Sequence, residues 1–334
     1  MREIIDILNK NYIYEGINPK KLCNILEELG PTFIKIGQIL STRIDIVPKE
    51  YLVQLSKLRS NVTPMSDEEL NSILDLEYKD KSKIFKEINE VIGSGSIAQV
   101  NKATLVGDIK VVIKVCRKDV YEKMQMDVKL MKKAIKVLHL NKIIKIIDLN
   151  NTLDEILEVA YEESNFNIEK DHLIKFKKLN EEEKYISQPK VFSNISTNKV
   201  LVMEYVDGIT LDKKDELIKN DYNLENISYI LSDNYIKQAL KDGFFHADPH
   251  PDNIMIRNGK IVFLDLGMMG TLKEKNKRLL NNCITKIIEE DYYEVSKILI
   301  NMCSKSDDVD VSKLKDDIAS ILNEFSTSNL NDID

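Results

Sequence analysis

The sequence predicts an α+β fold in which a small antiparallel sheet and a later β-hairpin are set among helices. Three observations carry this prediction. Runs of β-branched residues broken by Gly and Asp begin near residue 84, a second strand pair follows residue 253, and helix-spaced apolar residues fill most of the remainder. With 334 residues, the chain is long enough for one large two-lobed domain or for two domains.

Taken in order, residues 1–80 read as helical throughout. Apolar positions in LCNILEELG recur at helical spacing, and Gly30-Pro31 is a helix stop followed by a restart. Ser66-Asp67-Glu68-Glu69 has the form of a capping box opening a short helix. The stretch IFKEINEVIGSGSIAQVNKATLVGDIKVVIKVCRK then reads as an antiparallel sheet with a turn at Gly107-Asp108. Residues 119–180 return to helix. Residues 191–206 read as strand, VLVMEYV being the strongest run, closed by Asp207-Gly208. Residues 222–243 read as one long helix ending at Gly243. HADPHPDN follows, then a hairpin IMIRNGKIVFLDLG turning at Asn258-Gly259, then helices and a polar, frayed tail, STSNLNDID. The expected division is a helical extension (1–80), a first lobe with inserted helices (81–206) and a second lobe with the tail (207–334).

Composition removes several classes of function. A net charge of −7 argues against an extended nucleic-acid surface. Cys23, Cys116, Cys283 and Cys303 lack metal-ligand spacing and read as buried thiols in a reducing cytosol. MREIIDILNKNYIY is interrupted by charge every few residues, unlike a secretory signal, and no apolar run approaches the roughly 18 residues of a membrane span. The expectation is a soluble cytoplasmic chain, with peripheral contact at a membrane left open.

The chemistry concentrates in four places. The hairpin after HADPHPDN puts Asn253 and Asp265 at one end, where their hard oxygens suit Mg²⁺ carrying nucleotide phosphates. Asp248 lies five residues before Asn253, the Asp-x4-Asn spacing of a kinase catalytic loop, and Asp265-Leu-Gly267 stands where an Asp-x-Gly metal motif is expected. A polar hairpin with ordinary turn residues is the plain alternative. Gly93-Ser94-Gly95-Ser96-Ile97-Ala98-Gln99-Val100 lies between two strands, where backbone amides can cover phosphates; a simple turn explains it as well. Fourteen residues beyond the loop, Lys114 sits in the apolar strand VVIKV, and a buried ammonium needs an anion. Glu163 and Glu169, in a Glu-rich helix, are both candidates to hold it; a solvated charged face is the alternative. His246 and His250 read as groups that order their loop, since no third soft ligand for zinc lies nearby. Glycine loop, strand lysine, Asp-x4-Asn and Asp-x-Gly occur in the order of a kinase-like fold.

The stretch Pro31-Thr-Phe-Ile-Lys35-Ile-Gly37-Gln38-Ile-Leu-Ser-Thr-Arg43-Ile-Asp45 resembles the KxGQ signature, with its STR-x-D continuation, of the UbiB/AarF family of atypical kinase-like proteins. GSGSIAQV, EESNFNIEKDHLIKF, HADPHPDN and GMMGTL are similar to that family's nucleotide loop, E-x-D helix, catalytic loop and the segment after it. The resemblance runs from about residue 22 to 325. It implies a two-lobed atypical protein-kinase-like fold with a helical N-terminal extension over the active site. It further implies an ATPase, or a kinase of small or lipid-like substrates, with ATP and Mg²⁺ as cofactors and a place in ubiquinone or isoprenoid-lipid metabolism. Carried over by position, Lys35 and Gln38 reach into the site, and Gly93, Ser94, Gly95, Ser96 and Val100 form the nucleotide loop. Lys114 binds the α- and β-phosphates, Glu163 or Glu169 pairs with a lysine, and Asp248 is catalytic. Asn253 and Asp265 hold Mg²⁺, and Met203-Glu204-Tyr205-Val206 is the hinge that reads adenine.

Several positions depart from the family pattern. Gly93 and Gly95 stand in a loop that is usually Ala-rich, and glycine there allows positive φ and closer approach to phosphate. Asn165 replaces the E-x-D aspartate, Lys170 and His172 replace an Ala and an Asn, and Asp252 replaces a Gly. The chain stops near 334, where many relatives continue, so a short soluble paralogue and an incomplete copy are both compatible with it. An aminoglycoside- or choline-type kinase shares the H-x-D loop and lacks KxGQ, and a nucleotide-binding regulator without turnover is the rival from another class. The acceptor (a small molecule, a lipid-like molecule, a protein hydroxyl or water) is not specified by the residues.

Overall fold

The structure, a computed structural model, describes residues 18–41, 47–58, 63–137, 149–303 and 309–327. Arg43 and Asp45 of the STR-x-D segment, the first 17 residues and the last seven lie outside the described residues. The fold divides into two compact units. One comprises the described residues of Met1–Thr210 with Asn253–Met268; the other comprises those of Leu211–Asp252 with Met269–Asp334.

The first unit opens with helices. Asn18 caps α1 (Pro19–Leu29) by accepting from the Lys21 amide at 2.9 Å, and Gly30 ends it at φ 98°. Helices α2 (Pro31–Ser41) and α3 (Lys49–Leu55) close over a small core of Leu26, Leu55 and Leu58. A Cβ on Gly37 would run into Leu58 Cδ1 and come within 2.9 Å of Leu26 Cδ1. Close helix packing therefore explains the glycine of the KxGQ stretch. The expected capping box opens α4 (Asp67–Glu77): Ser66 Oγ accepts from the Glu69 amide at 3.2 Å, and the Glu69 carboxylate accepts from the Ser66 amide at 3.1 Å.

Strands β1 (Phe85–Ser94), β2 (Ala98–Leu105) and β3 (Lys110–Cys116) pair antiparallel as read from the sequence, turning at Gly107 (φ 100°) and Asp108 (φ 61°). After helices α5 (Val120–Val137), α6 (Leu149–Ser164) and α7 (Phe166–Leu179) come β4 (Ile186–Ser187), β5 (Val200–Glu204) and β6 (Ile209–Thr210). β5 completes the sheet in the order β1-β2-β3-β5. Val111, Ile113, Val115, Val200 and Val202 are fully buried against Leu74 of α4.

The strand expected over 191–206 is shorter than its apolar content implies. Only Val200–Glu204 and a single bridge from Val191 to Met203 are extended in pairs. The intervening residues turn because the Thr197 hydroxyl accepts from the Lys199 and Val200 amides and the Ser196 hydroxyl accepts from the Val202 amide.

The second unit carries α8 (Lys214–Lys219), α9 (Leu224–Ile236) and a strand β7 (Phe244–His246). The helix read over 222–243 does end at Gly243 (φ 62°), but its last turn, Lys237–Asp242, widens into a π-helix. In the first unit, the hairpin of β8 (Ile254–Arg257) and β9 (Lys260–Phe263) turns at Asn258 and Gly259, both at positive φ. Its sheet runs β4-β9-β8-β6. The second unit is completed by β10 (Met269–Thr271), paired with β7, and by α10 (Glu274–Ile288), α11 (Tyr292–Met302) and α12 (Val311–Thr327). Cys23, Cys116 and Cys283 are buried as expected, whereas Cys303, at the end of α11, is exposed. Among the described residues no helix is long and apolar enough to cross a membrane.

Candidate active site

Lys114 is the centre of a cluster lying wholly within the first unit. Strand alternation buries its neighbours Ile113 and Val115 and turns the lysine to the other face of the sheet. Its Nζ lies 2.8 Å from Glu169 Oε2 and 3.0 Å from Asp265 Oδ2, and 5.6 Å from the centre of the Phe166 ring. Glu169 and Phe166 both come from the first turn of α7, which Asn165 caps. Asp265 comes from the hairpin. There the Leu264 amide donates to the Asn253 carbonyl at 2.8 Å, so Asn253 and Asp265 leave the strands at the same end. The Gly267 amide fixes Asp265 through its Oδ1 at 2.8 Å, and His172 Nδ1 donates to the Leu266 carbonyl at 2.9 Å.

Two carboxylates therefore share one ammonium. Burial pushes Glu169 up and the neighbouring charge of Asp265 adds to this, while Lys114 opposes both; the net value is about 7. Burial works against the Lys114 ammonium, but Asp265 and Glu169 outweigh it and hold the group above the ordinary lysine range. Glu169 Oε1 is buried and accepts no hydrogen bond, so the cluster has capacity for further positive charge. The oxygen donors of Asn253 and Asp265, with Asp265 still 40% exposed, match the hard-ligand preference of Mg²⁺.

A second ion pair lies on the helical extension. Lys35 of α2 is buried and its Nζ bonds Glu163 of α6. The two glutamates thus take separate lysines: Glu163 holds Lys35 and Glu169 holds Lys114. Gln38 is not brought to the Lys114 cluster; its Nε2 donates to the Leu58 carbonyl at 2.7 Å and ties α2 to the turn after α3. Thr32 Oγ1 donates to Asp127 on α5 at 2.6 Å, a link between residues 95 apart that no local motif announces.

The turn between β1 and β2 holds the glycine loop. Gly93 and Gly95 both lie outside the left-handed region, contrary to the conformational reason expected for them. An added Cβ on Gly93 would meet only Val100, its Cβ at 3.8 Å and its Cγ2 at 4.0 Å, both ordinary contacts, so its backbone suits alanine equally. The Gly95 amide donates to the Ala98 carbonyl at 2.8 Å. Ser96 is buried. At the hinge stretch, the Glu204 amide donates to the Lys190 carbonyl at 2.8 Å, Arg257 Nη1 contacts Glu204 Oε1 at 2.6 Å, and Val206 is buried.

Asp248 belongs to the second unit, where its loop is held from both sides. The His246 amide donates to Gln238 of the π-turn at 3.0 Å, and the Tyr235 hydroxyl donates to the His246 carbonyl. His246 Nδ1 accepts from the Asp248 amide at 3.1 Å, and the Asp248 carbonyl accepts from the His250 amide at 2.8 Å. Burial, and then the charge of Asp248, raise the Tyr235 phenol.

This ordered set of lysine, glutamate and Asp-x-Gly aspartate on a sheet-and-hairpin frame defines a kinase-like class of protein. The ABC1 atypical kinase-like domain matches residues 57–299, and the chain belongs to that family. It is 36% identical over 95% of its length to an uncharacterized protein in the hydrogenase 1 5′ region of Clostridium pasteurianum, covering 60% of that protein. It is 31% identical over 86% of its length to ACTIVITY OF BC1 COMPLEX KINASE 7, chloroplastic, of Arabidopsis thaliana, covering 42% of it. To the probable protein kinase UbiB of Shewanella piezotolerans it is 29% identical over 91% of its length, covering 57%. The chain thus spans less than two thirds of the length of these relatives. Among solved structures, the Rv3197–erythromycin complex from Mycobacterium tuberculosis superposes with a TM-score of 0.61 at 21% identity, over 98% of this chain and 82% of that one. That likeness is one of fold.

Proposed function

We propose that the chain binds Mg-ATP and either hydrolyses it or transfers its γ-phosphoryl group to a small or lipid-like acceptor. The observation that carries this reading is the sharing of Lys114 between Glu169 and Asp265 at the hairpin end that also presents Asn253. A lysine held by a buried glutamate is pre-charged and aimed, and moving from Asp265 to phosphate oxygens exchanges one anion for another. Asn253 and Asp265 would hold Mg²⁺, which when bound neutralises charge on the β- and γ-phosphates. Glu169 keeps Lys114 in place as Asp265 turns to that role. The loop 93–96 and Val100 cover the nucleotide, and the backbone of 204–206 reads the base. The resemblance of HADPHPDN to the family's catalytic loop assigns Asp248 the proton of the acceptor hydroxyl, whose oxygen takes the γ-phosphoryl group as ADP departs. Lys35, held by Glu163, supplies a second buried cation from the helical extension. We place this activity in isoprenoid-lipid or quinone metabolism, with peripheral contact at a membrane from the cytoplasm, on the resemblance of the KxGQ stretch and HADPHPDN to the UbiB/AarF family.

The test is phosphate release from Mg-ATP by the purified chain, with and without lipid vesicles and phenolic compounds, beside Asp265→Asn and Asp248→Asn. Turnover that falls at least a hundredfold in both variants supports the reading. ATP binding without turnover in the wild type, retained in Asp248→Asn, points instead to a nucleotide-binding regulator. Turnover unchanged in Asp265→Asn contradicts the metal assignment.

A further inference from the structure

We propose that Arg117 is a positioning residue for the nucleotide loop, acting with Gln99 to fasten that loop to the strap of residues 63–65 ahead of α4. The inference rests on reading the β1–β2 turn as the nucleotide loop. Arg117 directly follows β3, and its side chain reaches back under three acceptors. Nε donates to the Gly95 carbonyl at 2.9 Å, and Nη2 donates to Ser94 Oγ at 2.8 Å and to the Thr63 carbonyl at 2.9 Å. Its own amide donates to the Ile97 carbonyl at 2.8 Å. One residue thus engages the loop at 94, 95 and 97, and the strap at 63.

A second fastening comes from β2. Gln99 and Asn101 occupy positions on the buried face of the strand where alternation calls for apolar side chains; both are almost wholly inaccessible. Such amides are costly there unless bonded. Gln99 Oε1 accepts from the Met65 amide at 2.6 Å, Gln99 Nε2 donates to Asn101 Oδ1 at 2.9 Å, and Asn101 Nδ2 donates to the Asn89 carbonyl at 3.1 Å. These polar residues lock the strap onto the sheet beside the loop at a site where leucine or valine would only fill space.

The arrangement has an electrostatic consequence for phosphate. A carbonyl and a hydroxyl lone pair at a phosphate loop repel an anion. Arg117 takes both into charge-assisted hydrogen bonds and adds a fixed positive charge beside the loop. The loop lacks left-handed glycines and is held instead by this fork, whose planar geometry a lysine cannot reproduce.

The experiment compares the wild-type chain with Arg117→Ala and Arg117→Lys in two measurements. The first is amide hydrogen exchange at residues 94–98 without nucleotide. The second is the dissociation constant of Mg-ATP by calorimetry. The expected result is exchange at 94–98 about tenfold faster in Arg117→Ala, with α4 and β3 unchanged, and Mg-ATP bound about tenfold more weakly, Arg117→Lys falling between. A merely structural role would lower the melting temperature and leave the affinity of the folded fraction unchanged. Unchanged exchange at 94–98 overturns the clamp, whatever the chain binds. Faster exchange with wild-type affinity overturns the positioning role. Absence of Mg-ATP binding by the wild type sinks the reading of the site itself, while the exchange data still decide the clamp. If Arg117→Ala does not fold, Arg117→Lys carries both comparisons.

Discussion

Lys114 shows how one side chain organises a site. Its ammonium is held by a nearly inaccessible carboxylate, Glu169, and a more exposed one, Asp265. Removing one member of a buried ionic group costs far more than the group itself contributes. Lys114→Met should therefore destabilise the nucleotide-free chain by about 3 kcal/mol in urea unfolding. Adding Glu169→Gln should recover a large part of that loss, because the neutral amide no longer faces Asp265 unpaired; strictly additive losses would contradict the shared-ammonium account. The need of Lys114 for an anion was legible from an ammonium set in an apolar strand. The choice between Glu163 and Glu169 was not legible. It depends on the break at Asn165, which ends α6 and starts α7 and so sends two nearby glutamates to different lysines.

At the scale of elements, local chemistry announced most of what formed: the Ser66 capping box, the Gly107-Asp108 turn, the Asn258-Gly259 hairpin and the stop at Gly243. The failures have physical causes. Residues 192–199 fall inside the expected strand, but only Phe192 and Ile195 are apolar there, and the Ser196 and Thr197 hydroxyls bond the backbone into a turn. The sequence suggests conformational freedom as the reason for Gly93 and Gly95, yet neither uses positive φ. Gly37 does matter, for space, since the side chains that crowd it come from α1 and from the turn after α3. Gly37→Ala should destabilise the helical extension by roughly 1–3 kcal/mol, read as faster hydrogen exchange in α1 and α2. Exchange at the wild-type rate would mean that the leucines yield without cost.

At the scale of the whole molecule, the order of motifs along the chain was enough to place it among kinase-like folds, because each motif carries its own local chemistry. Links such as Arg117 to Thr63 and Thr32 to Asp127 were invisible, since each joins an ordinary residue to a distant partner. Burial of the thiols gives a global check on the fold. Burial raises Cys23, Cys116 and Cys283 above the ordinary thiol range, so at pH 8 they lie further below half-ionisation than a free cysteine, and they are shielded besides. Of the four cysteines only Cys303 should react rapidly with a thiol-specific disulfide reagent in the native chain, and all four after denaturation. Fast native labelling of Cys116 would contradict the packing of β3.

The central claim is that Lys114, Asn253 and Asp265 form a Mg²⁺-dependent ATP site, and equilibrium binding tests it most directly. Calorimetric titration of ATP into the chain, with Mg²⁺ and with a chelator, should show binding that needs the metal and weakens at least tenfold in Asp265→Asn. ATP binding of equal strength without Mg²⁺ and in Asp265→Asn would contradict it.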